Sequence, residues 1–339
     1  MALIQIKKPY LLFVGDTTEP RIAKTAFGLR DWARDECIGQ WRLSAEAVDL
    51  GLRDLSPSEA VAAGACTLVV GIAPPGGRIP PHWRATFVEA LNAGLDLAAG
   101  MHERLGAINE LSELAERLGR MIHDVRHFDG ALPVGSGRRR PGLRLLTVGT
   151  DCALGKKYTA LAIAKLMRDD GLDADFRATG QTGILISGGG ISVDAVVADF
   201  ISGAAEMLSP ENEPRHWDII EGQGSLFHPA YAGVTLGLLH GSQPDALVLC
   251  HDPSRTEIYG FPHVPIVAPS EALGVYLQAA RLTNPQVRFV GVSLNTVTMT
   301  EADAQRVLAE TAADTGLPCV DPMRTGVDAI VAMLRQFSE

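Results

Sequence analysis

Short apolar runs alternate with stretches of helical spacing along most of the chain. Tyr10–Val14 is unbroken apolar sequence closed by Gly15-Asp16, and Thr67-Leu-Val-Val-Gly71 repeats that design before a Pro/Gly-rich loop at Ala73–Pro81. Runs this short, ended by glycine, predict buried strands. Trp83–Asn92 and Glu103–Leu118 have helical spacing, with Leu105, Ile108, Leu111 and Leu114 three apart. Phe128–Gly142 (FDGALPVGSGRRRPG) has no apolar period and reads as a linker. Beyond it strands are expected at about 143–148, 174–178, 217–221, 245–250, 264–268 and 287–292. Helices are expected at about 156–169, 192–206, 270–282, 301–315 and 325–337. This alternation predicts an α/β chain whose parallel sheets are covered on both faces. A length of 339 residues exceeds one comfortable core. Two domains are expected, 1–142 with the linker and 143–339.

Composition narrows the classes. Apolar residues make up 46% and charged residues 21%, a globular balance. The net charge of -10 repels nucleic-acid phosphate, and Arg138-Arg139-Arg140 is too short a basic run to reverse it. No apolar stretch has the roughly 18–20 residues that span a bilayer. The N-terminus lacks the pattern of a secretory signal. Cys37, Cys66, Cys152, Cys250 and Cys319 are scattered, with no C-x-x-C pair. That suits reduced thiols and argues against structural zinc. The expectation is a cytoplasmic protein acting on a small molecule, without nucleic acid or membrane, and a homo-oligomer by default for its size.

The sharpest chemical signal follows the strand at 143–148. Gly149, Thr150, Asp151, Cys152, Ala153, Leu154, Gly155, Lys156 and Lys157 form a glycine-bounded loop opening onto a helix. Strand, loop, lysine and helix in this order make a P-loop, in which amides and a helix N-terminus point at phosphate oxygens. Five residues separate Gly149 from Gly155 where the usual pattern has four; this longer form resembles the loop of dethiobiotin synthetase and its relatives, which also begin G-T-D. Lys157 stands where Ser or Thr normally ligates magnesium. Thr159 cannot replace that hydroxyl, because two positions along a helix turn it to another side. The expected chemistry is phosphate binding by protein cations, with no obligatory metal.

Other candidates sit at strand ends, where parallel sheets bind ligands. Gly180, Gln181, Thr182 and Gly183 lie in a loop able to approach an anion closely, ahead of Gly188–Gly190. Glu221 follows an apolar strand in the place of a Walker B acid, and His228 is the best-placed histidine for proton transfer. Cys250-His-Asp-Pro-Ser-Arg-Thr256 brings His251, Asp252 and Arg255 to the same edge, and Arg255 is a candidate fork for a carboxylate or phosphate. Cys152, without a demonstrated base, is set aside as a nucleophile. Asp96–His102 and His123–Arg126 are read as structural. Gly15-Asp16-Thr-Thr is no dinucleotide fingerprint.

Taken in order, GTDCALGKK, TGQTGILISGGG, DAVVADFISGAAE, IEGQGSLFHP and CHDPSRT, with DLAAGMHERL and DVRH in the first half, resemble one bacterial and archaeal family. Its members join an N-terminal Rossmann-like domain to a C-terminal P-loop domain, and include D-glutamate N-acetyltransferases of D-amino-acid catabolism. The resemblance implies acetyl transfer from acetyl-CoA to the amine of D-glutamate or a related D-amino acid, with the loop gripping the co-substrate's phosphates. On chemical grounds Glu221 or His228 is the candidate base, Arg255 the carboxylate anchor, and backbone amides of Thr179–Gly183 or Gly222–Ser225 the oxyanion donors. Two alternatives stay open. One is an ATP-dependent kinase or ligase with magnesium held by Asp151 and Glu221; the other is a non-catalytic nucleotide or CoA sensor.

Overall fold

A computed structural model describes residues 5–20, 22–72 and 77–337; of the loop at 73–81, residues 73–76 lie outside the described residues. The chain divides into two compact units, one comprising the sequence up to Gly130 with Gly180–Ala195, the other Ala131–Thr179 with Val196 onward.

The first unit holds β1 (Tyr10–Gly15), α1 (Lys24–Trp32), β2 (Cys37–Arg42), α2 (Pro57–Ala62), β3 (Thr67–Val70), α3 (Arg84–Ala93), β4 (Asp96–Ala99), α4 (Asn109–Leu118) and β5 (Ile122–Asp124). The strands form a parallel sheet in the order β2-β1-β3-β4-β5. Every residue of β1, β3 and β4 is buried, the apolar runs of β1 and β3 and, in β4, Leu97 to Ala99 behind the buried Asp96. The helix expected from Glu103 begins only at Asn109. Upstream, Asp124 accepts the Leu105 and Gly106 amides in a 3₁₀ turn, and Glu103 accepts the Ile79 amide. Asp96 is fully enclosed, paired with Lys7 at 3.1 Å and accepting from the Met121 amide.

The second unit opens with β6 (Leu143–Gly149), α5 (Lys156–Asp169) and β7 (Ala174–Arg177). The chain then leaves it for α6 (Gln181–Ser187), which belongs to the first unit. There Tyr10 donates its hydroxyl proton to the Leu185 carbonyl, Lys8 to that of Ile186, and Arg126 pairs with Asp194 at 3.0 Å. That tether explains why the helix expected at 192–206 is two 3₁₀ turns followed by α7 (Ile201–Leu208). The second unit resumes with β8 (Trp217–Ile220), α8 (Ala232–Ser242), β9 (Ala246–His251), a hairpin of β10 (Glu257–Ile258) and β11 (Phe261–Pro265), α9 (Pro269–Arg281), β12 (Arg288–Leu294), α10 (Glu301–Thr315), β13 (Cys319–Val320) and α11 (Asp328–Arg335).

Its six-stranded sheet is parallel throughout, in the order β13-β12-β9-β6-β8-β7. The strand expected at 264–268 is instead an arm of the antiparallel hairpin: Pro262 and Pro265 have no N–H for an interior ladder. On one face α5 lays Ala160, Ile163, Ala164 and Met167 against Leu145, Ile219 and Val248, beside Ile330, Val331 and Leu334 of α11. The stretch expected as a linker is fastened from Ala131 onward. Arg140 donates to the carbonyls of Ser209 and Gly241, and Glu206 accepts the Ser136 and Gly137 amides. Among the described residues no helix is long and apolar enough to cross a membrane.

Candidate active site

Because β6, β8 and β9 are neighbours, the loops at their C-terminal ends converge. The loop after β6 is shaped by two left-handed residues, Ala153 at φ 53 and Gly155 at φ 102. For alanine that conformation costs about 1 kcal/mol. It alternates the backbone so that successive amides face one way, the geometry of an anion nest. Among the described residues, the amides of Ala153, Leu154, Gly155, Lys156 and Lys157 meet no acceptor, whereas that of Cys152 donates to Asp151 Oδ1 at 2.6 Å. Five consecutive donors at the start of a 14-residue helix are a strong seat for negative charge.

The cations around this seat are not equivalent. Lys156 is buried, its Nζ donating to the Asp151 carbonyl at 2.7 Å, and burial pushes its ammonium below the usual lysine range. Lys157 is depressed the same way, with the Glu221 carboxylate opposing the shift. Its ammonium lies 5.0 Å from the Tyr158 ring centre and makes no hydrogen bond or ion pair among the described residues. Arg255 is fully engaged with the loop itself. It donates to Asp151 Oδ2 at 2.9 Å and to the carbonyls of Cys152 and Ala153 at 2.8 and 2.9 Å, and pairs with Asp252 at 3.3 Å. Arg255 is therefore a brace of the loop and not the free fork expected for a substrate carboxylate. Thr159 points away, bonded to Ser293 of β12 at 2.8 Å.

Glu221 is buried at the end of β8, and its Oε2 accepts the Thr179 amide at 3.0 Å while its carbonyl accepts the Thr179 hydroxyl at 2.6 Å. His228 has Nδ1 accepting from the Ala230 amide at 3.1 Å, its ring stacked 4.5 Å from Tyr231 and edge-on to Phe261. An N–H pointing at Nδ1 leaves the neutral ring's proton on Nε2, so His228 rests as a hydrogen-bond donor. Ligand-type atoms of Asp151, Cys152 and His228 lie within 4.8 Å of one another. That trio has the donor types of a metal site, but both Asp151 oxygens already accept hydrogen bonds, from Cys152, Arg255 and Tyr259 amide or guanidinium N–H groups. Lys156 and Arg255 add positive charge at the same place, which suits an anion better than a divalent cation. Burial raises the Cys152 thiol against those two cations.

Two residues carry no sequence signal. Tyr276 of α9 donates its hydroxyl proton to the Gly149 carbonyl at 2.8 Å and accepts the Leu226 amide at 3.1 Å, tying the phosphate loop to the His228 loop. Burial pushes it to about 12. Tyr259 gives its amide to Asp151 Oδ2 at 2.8 Å. Gly180, Gln181, Thr182 and Gly183 lie in the first unit as the cap and first turn of α6, where Thr182 and Thr25 hydroxyls stand 3.3 Å apart.

His251 closes β9 with Nδ1 2.8 Å from the Thr150 hydroxyl, and burial pushes its imidazole down to about 4 from 6.5. The unfolded chain takes up this proton first as pH falls. The stability it supports is therefore complete above the unfolded value and lost on descending toward the folded one. Between about pH 7 and about pH 5 this one residue is expected to remove about 2 kcal/mol. Denaturant titrations of the wild type and His251→Asn check it: the variant's stability should fall less over that range, and equal falls would exclude the effect.

A family model described as a domain of unknown function, DUF1611_C, P-loop domain, matches residues 133–331, and its N-terminal companion, DUF1611_N, Rossmann-like domain, matches residues 39–128. Two curated relatives, from a Pseudoalteromonas species and from Tritonibacter scottomollicae, carry the name D-glutamate N-acetyltransferase. Each is 48% identical, covering 98% and 97% of this chain and 100% of their own. A crystal structure of a DUF1611 family protein from Anabaena variabilis superposes with a TM-score of 0.84 at 35% identity, covering 97% of this chain and 100% of that one.

Proposed function

The chain belongs to the DUF1611 family, and from that premise we propose that it is an N-acetyltransferase moving acetyl from acetyl-CoA to the amine of D-glutamate or a related D-amino acid. The observation that carries the donor half of this reading is the row of five amides from Ala153 to Lys157, backed by two lysines. Such a seat takes the diphosphate of acetyl-CoA without a hydroxyl ligand for magnesium. The pantetheine arm is long and rotates freely, so a folded arm returns the thioester to the same sheet edge.

There the acceptor's ammonium must lose a proton before its nitrogen has a lone pair to attack. Glu221 is the base in this reading, because the Ala230 amide occupies Nδ1 of His228 and leaves its Nε2–H as a donor. The amine nitrogen then bonds to the thioester carbonyl carbon, the carbonyl oxygen becomes an oxyanion, and the carbon–sulfur bond breaks to release the CoA thiolate, which takes up a proton. The Nε2–H of His228 suits the oxyanion or the acceptor's carboxylate. With Arg255 committed to the loop, Lys157 replaces it as the cation for an anionic substrate group. The five free thiols support a reducing setting for this reaction, as in a cytoplasm.

The test is thiol release from acetyl-CoA with D- or L-glutamate, run with and without EDTA. Release that requires D-glutamate and survives EDTA is expected. Silence with every amino acid, together with magnesium-dependent phosphate release from ATP, would transfer the site to kinase or ligase chemistry.

A further inference from the structure

Tyr259 occupies the tip of the β10–β11 hairpin, where Ile258 and Phe261 close a two-residue turn completed by Gly260 at φ 81. Its side chain does no work in the core: it is 66% exposed. A single exposed aromatic ring is ordinary, but this one is indexed to the anion seat from two sides. Its amide is held by Asp151 Oδ2, and the Arg255 guanidinium lies 5.6 Å from the centre of its ring. Arg255 in turn grips Asp151, Cys152 and Ala153, so one guanidinium touches both the ring and the amide nest. Nearby, Tyr231 is also 51% exposed and stacks on His228.

We propose that Tyr259 is the platform on which the adenine of acetyl-CoA stacks while the nest beside it holds the diphosphate. This rests on acetyl-CoA being the donor. A ring with a guanidinium against it and most of its surface exposed offers a π-face to a base, and such stacking tolerates any base. The hairpin thereby acquires a purpose that its two short strands do not have within the parallel sheet.

Calorimetric titration of CoA and of 4′-phosphopantetheine, which lacks the adenosine, into wild type, Tyr259→Ala and Tyr259→Phe tests the platform. Tyr259→Ala is expected to weaken CoA roughly ten-fold, the order of one lost base stack. It should leave 4′-phosphopantetheine unchanged, and Tyr259→Phe should restore CoA. Unchanged CoA binding, equal weakening of both ligands, or a wild type that binds no CoA would overturn it. A wild type that binds CoA through Tyr259 but transfers no acetyl group would sink the proposed reaction and leave the platform standing.

Discussion

Glu221→Gln should lower kcat by roughly 10²–10⁴ while moving the thermal midpoint by only about a few degrees. The split follows from what the carboxylate does. Its Oε2 accepts the Thr179 amide, and a glutamine carbonyl accepts the same bond, so the contact from the β7 end to the β8 end survives. What disappears is a negative charge able to take an ammonium's proton. A second readout separates a base from a merely structural acid. Lys157 is depressed by burial and supported by Glu221, so removing that charge pushes it further down. Anion binding by the variant should then fall off at a lower pH than in wild type. Near-normal kcat in Glu221→Gln, with the alkaline limb unmoved, would remove Glu221 from the chemistry.

The redistribution of cations is the main lesson of the site. Sequence position marks Lys156 and Lys157 for phosphate charge and Arg255 for a carboxylate or phosphate. The folded chain separates them by partner: Arg255 is consumed by Asp151 and two loop carbonyls, Lys156 leans on the Asp151 carbonyl, and Lys157 has neither a hydrogen bond nor an ion pair among the described residues. Residue types at a spacing cannot reveal this, because Asp151 and Arg255 are more than a hundred residues apart and meet only when β6 and β9 pair side by side.

Much of the second sheet was legible for a simple reason. Strands buried on both faces read as unbroken apolar runs, and each ends where a glycine or polar residue lets the chain turn toward the ligand edge. The helix after the phosphate loop was legible through its spaced Ala160, Ile163, Ala164 and Met167. Harder segments lacked a local signal. Ala232–Ser242 carries Gly, Leu and Val around its circumference with little polar contrast, so its period is silent although α8 is a full helix. The return of Gly180–Ala195 to the first unit depends on distant partners, Tyr10, Lys8 and Arg126, that nothing near residue 180 announces. Tyr276 and Tyr259 act through one hydroxyl and one amide, and a lone tyrosine has no motif.

Gly222→Ala should be the most damaging small substitution in the second unit, and its severity follows from backbone geometry. A Cβ at this position would stand 1.7 Å from the Thr147 carbonyl oxygen and 2.8 Å from its carbon, with the Lys156 Cδ at 3.1 Å. Neither backbone atom can yield without moving the end of β6, and β6 is the interior strand from which the phosphate loop springs. The Gly222 amide also donates to the Thr147 hydroxyl at 2.9 Å, a buried bond that any outward shift of the chain would break. Overpacking with a broken buried hydrogen bond belongs to the upper range of single-residue effects, about 4 kcal/mol. For a unit of this size that is a fall of roughly 10 °C in the thermal midpoint. Gly274→Ala, at a helical site where a Cβ meets nothing within 4 Å, is the control and should hold or slightly raise the midpoint, since alanine is the better helix former. A Gly222→Ala protein as stable as that control would mean β8 can slide away from β6, and the close packing that sets Glu221 beside the phosphate loop would not be required. If Gly222→Ala folds with a lowered midpoint, acetyl transfer should be lost beyond what the unfolded fraction explains, because the same shift carries Glu221 away from Lys157.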